Sequence, residues 1–78
     1  MANNYFRKAT EREREISVIL YRFFEDFASL IEIGDDSDGW AEMLKQAVRL
    51  ADKYPEAKGT ISGIMNDINR RAKERANG

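Results

Sequence analysis

Apolar residues recur along this chain at three- and four-residue steps, and the pattern predicts helices. Ile16, Leu20, Phe23, Phe27 and Leu30 form one such stripe, widened by Ile19, Phe24 and Ile31. Thr10-Glu11-Arg12-Glu13 precedes it in the form of a capping box, with a threonine oxygen for the third backbone N–H and Glu13 reaching back. Asn4 is a competing cap, since Tyr5 and Ala9 extend the stripe. Gly34 stands where a C-terminal residue in the left-handed region ends a helix. The first helix is therefore expected over residues 10–33.

Trp40, Met43, Leu44, Ala47, Val48, Ala51 and Tyr54 give the cleanest amphipathic pattern and predict a second helix over 38–54. Asp35-Asp36-Ser37-Asp38-Gly39 supplies short oxygen-bearing side chains that cap N–H groups, and carboxylates suit the positive end of a helix dipole. Pro55 stops this helix, because the residue before proline is pushed out of the α region. Ala57, Ile61, Ile64, Met65, Ile68 and Ala72 line a third helix over 56–76, which starts either at Pro55, tolerated in a first turn, or near Lys58–Thr60. With no repeat, low-complexity tract or linker, the expectation is one compact all-α, three-helix domain spanning 1–78.

Composition bounds the chemistry. The chain has 78 residues, no cysteine and no histidine. It therefore has no disulfide, thiolate or imidazole, and stability must come from packing, within one copy or shared with a second. Six candidate hydroxyls, Thr10, Ser17, Ser29, Ser37, Ser62 and Thr60, have no histidine to activate them. There is no glycine-rich phosphate loop. If Gly39 is the sixth position of a calcium loop, the first is Gly34 and the twelfth is Lys45. Neither can ligate as an EF-hand requires, so the acidic run reads as a helix cap. No catalytic residue, metal, cofactor or small-molecule substrate is expected.

The most apolar stretch, Ile16 to Ile33, is broken by Arg22, Glu25, Asp26 and Glu32, and no membrane span or signal peptide is expected. The expected location is the cytoplasm. Net charge is −1, but it is unevenly spread. Residues 1–15 carry +1, residues 16–56 carry −5 and residues 57–78 carry +3. A general polyanion binder is disfavoured, while a local one is not.

Two surfaces are candidates for contact. On the first helix, Tyr21, Phe24 and Ala28 project to a different side from Ile16, Phe23 and Leu30, and an uncovered apolar strip there would suit a homodimer. On the third, Gly59, Ser62, Gly63, Asn66, Asn69 and Arg70 lie opposite or beside the isoleucine stripe. A face chosen for helix stability would carry Glu, Lys, Gln or Ala instead. Small polar residues let another surface approach the backbone. The predicted function is a non-enzymatic adaptor or inhibitor acting by protein–protein contact. Its compact, linker-free form suits an accessory factor of a phage or mobile element.

Leu50-Ala51-Asp52-Lys53-Tyr54, a turn, and then Gly59 to Asn69 resemble the helix-turn-helix unit of phage-repressor-type DNA-binding domains. Leu50, Ala51, Tyr54, Ile61 and Ile64 fall at matching offsets. The resemblance covers residues 47–70 and implies a small DNA-binding regulator. Lys58, Gly59, Thr60, Ser62, Gly63 and Asn66 would then face the major groove, and the basic tail with Arg70, Arg71, Lys73 and Arg75 would meet phosphates. The chain departs from the family at Pro55, where the turn usually has glycine, and at Glu56, where the family has an apolar residue. Asp67 would also stand close to phosphates.

Overall fold

The computed structural model describes residues 7–33 and 36–77. Its elements are α1 (Glu11–Phe27), a single turn α2 (Leu30–Ile33), α3 (Ser37–Lys53), a 3-10 turn (Pro55–Ala57) and α4 (Lys58–Asn77). The chain is an all-α domain of three long helices, as the periodicity predicts.

Helices α1 and α3 start where side-chain oxygens meet unpaired N–H groups. The Glu13 N–H donates to Thr10 Oγ1 at 3.1 Å, and the Thr10 N–H donates to Glu13 Oε1 at 2.8 Å, which completes the capping box. Asp36 caps α3 by accepting from the Gly39 N–H at 3.0 Å. Asn4, Tyr5, Gly34 and Asp35, to which the sequence pattern gives cap and stripe positions, lie outside the described residues.

The predicted continuous first helix is corrected. It breaks at Ala28–Ser29, where the Ile31 N–H turns to the Ala28 carbonyl and the Glu32 N–H to that of Ser29, at 3.1 and 3.0 Å. These three-residue closures interrupt the four-residue ladder. The bent segment places α2 against α4 and buries Leu30 beside Phe27. The third helix reconciles its two predicted starts: Pro55 opens a 3-10 turn, and α-helical geometry begins at Lys58.

Contacts at the helix ends define the topology. Arg12, at the start of α1, donates to both carboxylate oxygens of Glu56 and to the Lys53 carbonyl, at the far end of α3. At the other end, Leu30 packs against the first turn of α3. A Cβ built on Gly39, in the first turn of α3, would lie 2.8 Å from Leu30 Cδ2 and from Asp36 Oδ2, so a larger residue there would have to push these side-chain ends aside. Trp40 near the start of α3 shares a groove with Ala72 and Ala76 of α4. The helices thus run up, down and up, and α1, α2 and α3 all touch α4.

The core is wholly apolar. Phe23, Phe27, Leu30, Met43, Ala47, Tyr54, Ala57, Ile61 and Ile68 form one buried cluster, and Ala72 is buried as well. Phe23 and Phe27 meet edge to face, with ring centroids 5.5 Å apart. Leu44 and Val48, which the pattern places on the core stripe, are instead 58 % and 55 % exposed. The apolar arc of α3 is wider than α4 and the segment α1–α2 can cover.

Two ion pairs tie the polar shell, and they carry a pH prediction. Hydrogen bonds from the Arg12 guanidinium hold the Glu56 carboxyl at about 2, well below 4.5. Those from Arg7, helped by the Thr10 N–H, hold Glu13 at about 2. A carboxyl depressed by folding contributes stability above its unfolded pKa and loses it as pH falls through the folded value. Thermal midpoints should be level from pH 7 to 5 and fall between about 4.5 and 2. Replacing both, Glu13→Gln with Glu56→Gln, should flatten that decline, and added salt should weaken it because the pairs are solvent-facing. An unchanged decline in the double variant would place the acid sensitivity elsewhere.

Candidate functional site

The long helix α4 carries the candidate contact surface. Its buried side is Ile61, Ile68 and Ala72, with Ile64 and Met65 half-buried. Helical geometry turns the other side outward. Lys58, Gly59, Thr60, Ser62, Gly63, Asn66, Asn69, Arg70 and Arg71 are all exposed. Gly59, Gly63, Asn66 and Arg70 follow one another at three- and four-residue steps, and Ser62 stands three residues from Gly59 and four from Asn66, so they share one face.

Among the described residues, no contact accounts for the two glycines. A Cβ built on Gly59 or Gly63 meets no atom within 4 Å. Glycine in a helix interior costs about 1 kcal/mol relative to alanine. Gly59→Ala and Gly63→Ala should therefore each stabilise the domain by about 0.5–1 kcal/mol, read as a higher urea midpoint at constant slope. A loss of stability would mean that a local constraint holds these positions as glycine.

Arg70 and Arg71 stand on this face, but their charges are engaged within α4. Arg70 pairs with Asp67 and, at 2.6 Å, with Glu74. Arg71 reaches Asp67 at 2.9 Å. Bonds to Asp67 first, and then the Glu74 charge, push the Arg70 guanidinium up. Lys73 and Arg75, by contrast, make no ion pair among the described residues.

The surface called on α1 separates into parts. Tyr21 is 60 % exposed, whereas Phe24 packs half-buried against the core and Ala28 is half-buried at the end of α1. Sequence reasoning passed over other exposed apolar side chains: Val18 on α1, Ile33 on α2, and Leu44 and Val48 on α3. The breadth of the α3 stripe was the available signal for the last two. It also passed over a groove of about 660 Å³ walled by Ile31 and Ile33 of α2, Trp40 of α3, and Ala72 and Ala76 of α4. Lys73 and Arg75 stand at this groove. No sequence signal marks it, because it exists only where α2 lies across α4.

Among the described residues, no helix is long and apolar enough to cross a membrane. No family model, curated protein or solved structure matches the chain.

Proposed function

We propose that this chain is a small non-enzymatic interaction protein, an adaptor or inhibitor of the accessory-factor kind. It acts by contact with another protein through the outward face of α4. The observation that carries this reading is the pair Gly59 and Gly63, one turn apart on an exposed helix, with open space where their side chains would be. Gly63 lowers the stability of the helix interior, and no described residue packs into the space at either position. A face of glycine, serine and asparagine lets a partner backbone come close and presents hydrogen-bonding groups to it.

Tagged protein should capture a partner from its host, and Gly63→Arg should abolish capture while circular dichroism remains native. Undiminished capture by that variant would defeat the reading. The helix-turn-helix alternative would use the same face, favoured by the short turn at Pro55–Ala57 and by the exposure of Lys58, Thr60, Ser62 and Asn66. Capture of duplex DNA with affinity falling steeply as salt rises would establish it. Engagement of Arg70 and Arg71 with Asp67 favours the protein reading, because it lowers the positive charge open to phosphates.

A further inference from the structure

The groove continues the outward face of α4 toward its C-terminal end, with Asn69 common to both. Ile31, Ile33, Trp40, Ala72 and Ala76 give it an apolar part, and a volume of about 660 Å³ accommodates several aliphatic side chains. Ile33, a large aliphatic residue, is 57 % exposed there. Charge adds to what the apolar walls offer a partner. Among the described residues, Glu32, Lys73 and Arg75 are the charged groups that line it, an excess of one positive charge. The neighbouring arginines, Arg70 and Arg71, are bound by Asp67 and Glu74, whereas Lys73 and Arg75 have no carboxylate partner among the described residues. Two available cations thus stand over an apolar trough, which is the complement of an apolar stripe edged with carboxylates.

We propose that this groove receives an acidic amphipathic segment of the partner protein, its aliphatic side chains against Ile31, Ile33, Trp40 and Ala76 and its carboxylates over Lys73 and Arg75. The inference rests on the reading of the chain as an interaction protein and names the chemistry of the partner.

Trp40 is the only tryptophan of the chain and forms part of the groove wall, so its fluorescence reports on this site alone. The probes are two synthetic fifteen-residue helical peptides, each with leucines along one face, one edged with glutamates and the other with lysines. The full chain should show a saturable change in Trp40 emission with the glutamate peptide, at an affinity at least tenfold above that of the lysine peptide. Lys73→Glu combined with Arg75→Glu should reverse the preference. Both are exposed, so circular dichroism should stay native. Ala76→Trp, which fills the groove from an exposed position, should abolish competition by the glutamate peptide in a labelled-peptide assay. No saturable response with either peptide, equal affinities, or an unchanged preference in the double reversal would each overturn the proposal. A host protein captured equally well by wild type and the double reversal would also overturn it, while leaving the α4-face reading standing. Capture lost in Gly63→Arg but retained in Ala76→Trp has the same meaning.

Discussion

Ile68→Ala is expected to remove most of the stability of this domain. Ile68 is fully buried, at 0 % exposure, on the helix that every other helix touches. Replacing it with alanine removes three methyl or methylene carbons from a core that has no polar group to rearrange around the hole. Substitutions of this kind cost about 2–5 kcal/mol, the spread reflecting how far the surroundings collapse. A domain of this length has about 4–12 kcal/mol in all, so the loss is a large share of the total. At about 4–8 °C per kcal/mol, the thermal midpoint should fall by about 8–40 °C. Urea unfolding followed by circular dichroism should give a lower midpoint at an unchanged slope. Ile68→Val, which removes one methyl group, should cost about 0.5–1.5 kcal/mol. A loss below about 1 kcal/mol for the alanine variant would mean that the core refills without Ile68.

Tyr54→Ala should cost about as much, about 3–5 kcal/mol, for a different combination of reasons. Tyr54 is 3 % exposed and stands between α3 and the turn to α4. Its N–H closes α3 onto the Leu50 carbonyl at 2.7 Å, and its carbonyl accepts from the Ala57 N–H at 2.9 Å. Those backbone bonds survive substitution, so the loss reports the ring. One contribution is burial of a large aromatic surface. Another is the pair of cations near the ring: Arg12 at 5.1 Å and Lys53 at 5.5 Å from the centroid. Arg12 also holds Glu56, so the ring helps fasten the start of α1 to the α3–α4 turn. Tyr54→Phe should stay within about 1 kcal/mol of wild type, since the ring and its face remain. A double-mutant cycle of Tyr54→Ala with Arg12→Ala should give a coupling of about 0.5–1 kcal/mol. Additivity of the two changes would assign the whole cost to burial.

Two helix caps were legible in the sequence because each acts within one turn. The capping box at Thr10 and Glu13 and the Asp36 cap depend on side chains three residues from the groups they bond, and both are present. The acidic run is a helix start in the same sense, as far as Asp36 shows it. The small polar face of α4 was also legible, because a single helix decides which residues share a side. Exposure of Gly59 and Gly63 follows from the position of Ile61 and Ile68 on the same helix.

Less was legible where two or more elements meet. The period of α1 runs unbroken through Ala28 and Ser29, so nothing in it marks the bend that turns α2 onto α4. Tyr21, Phe24 and Ala28 share an arc of one helix, yet Phe24 packs on the core while Tyr21 stays open, since only neighbouring helices decide how far along an arc coverage extends. Leu44 and Val48 continue an apolar stripe without a break, and the same coverage leaves them outside.

By itself, then, the amino-acid order determined an all-α chain of three long helices, their caps, the buried line of each and the glycine-marked face of α4. All of these depend on the 3.6-residue period and on bonds within one turn. Tertiary structure alone decided the break at Ala28–Ser29, the exposure of Leu44 and Val48, and the groove where Lys73 and Arg75 stand over Ile31, Ile33 and Trp40. Those features arise from the approach of residues some thirty to forty positions apart, and that approach is set by how whole helices share a limited apolar surface.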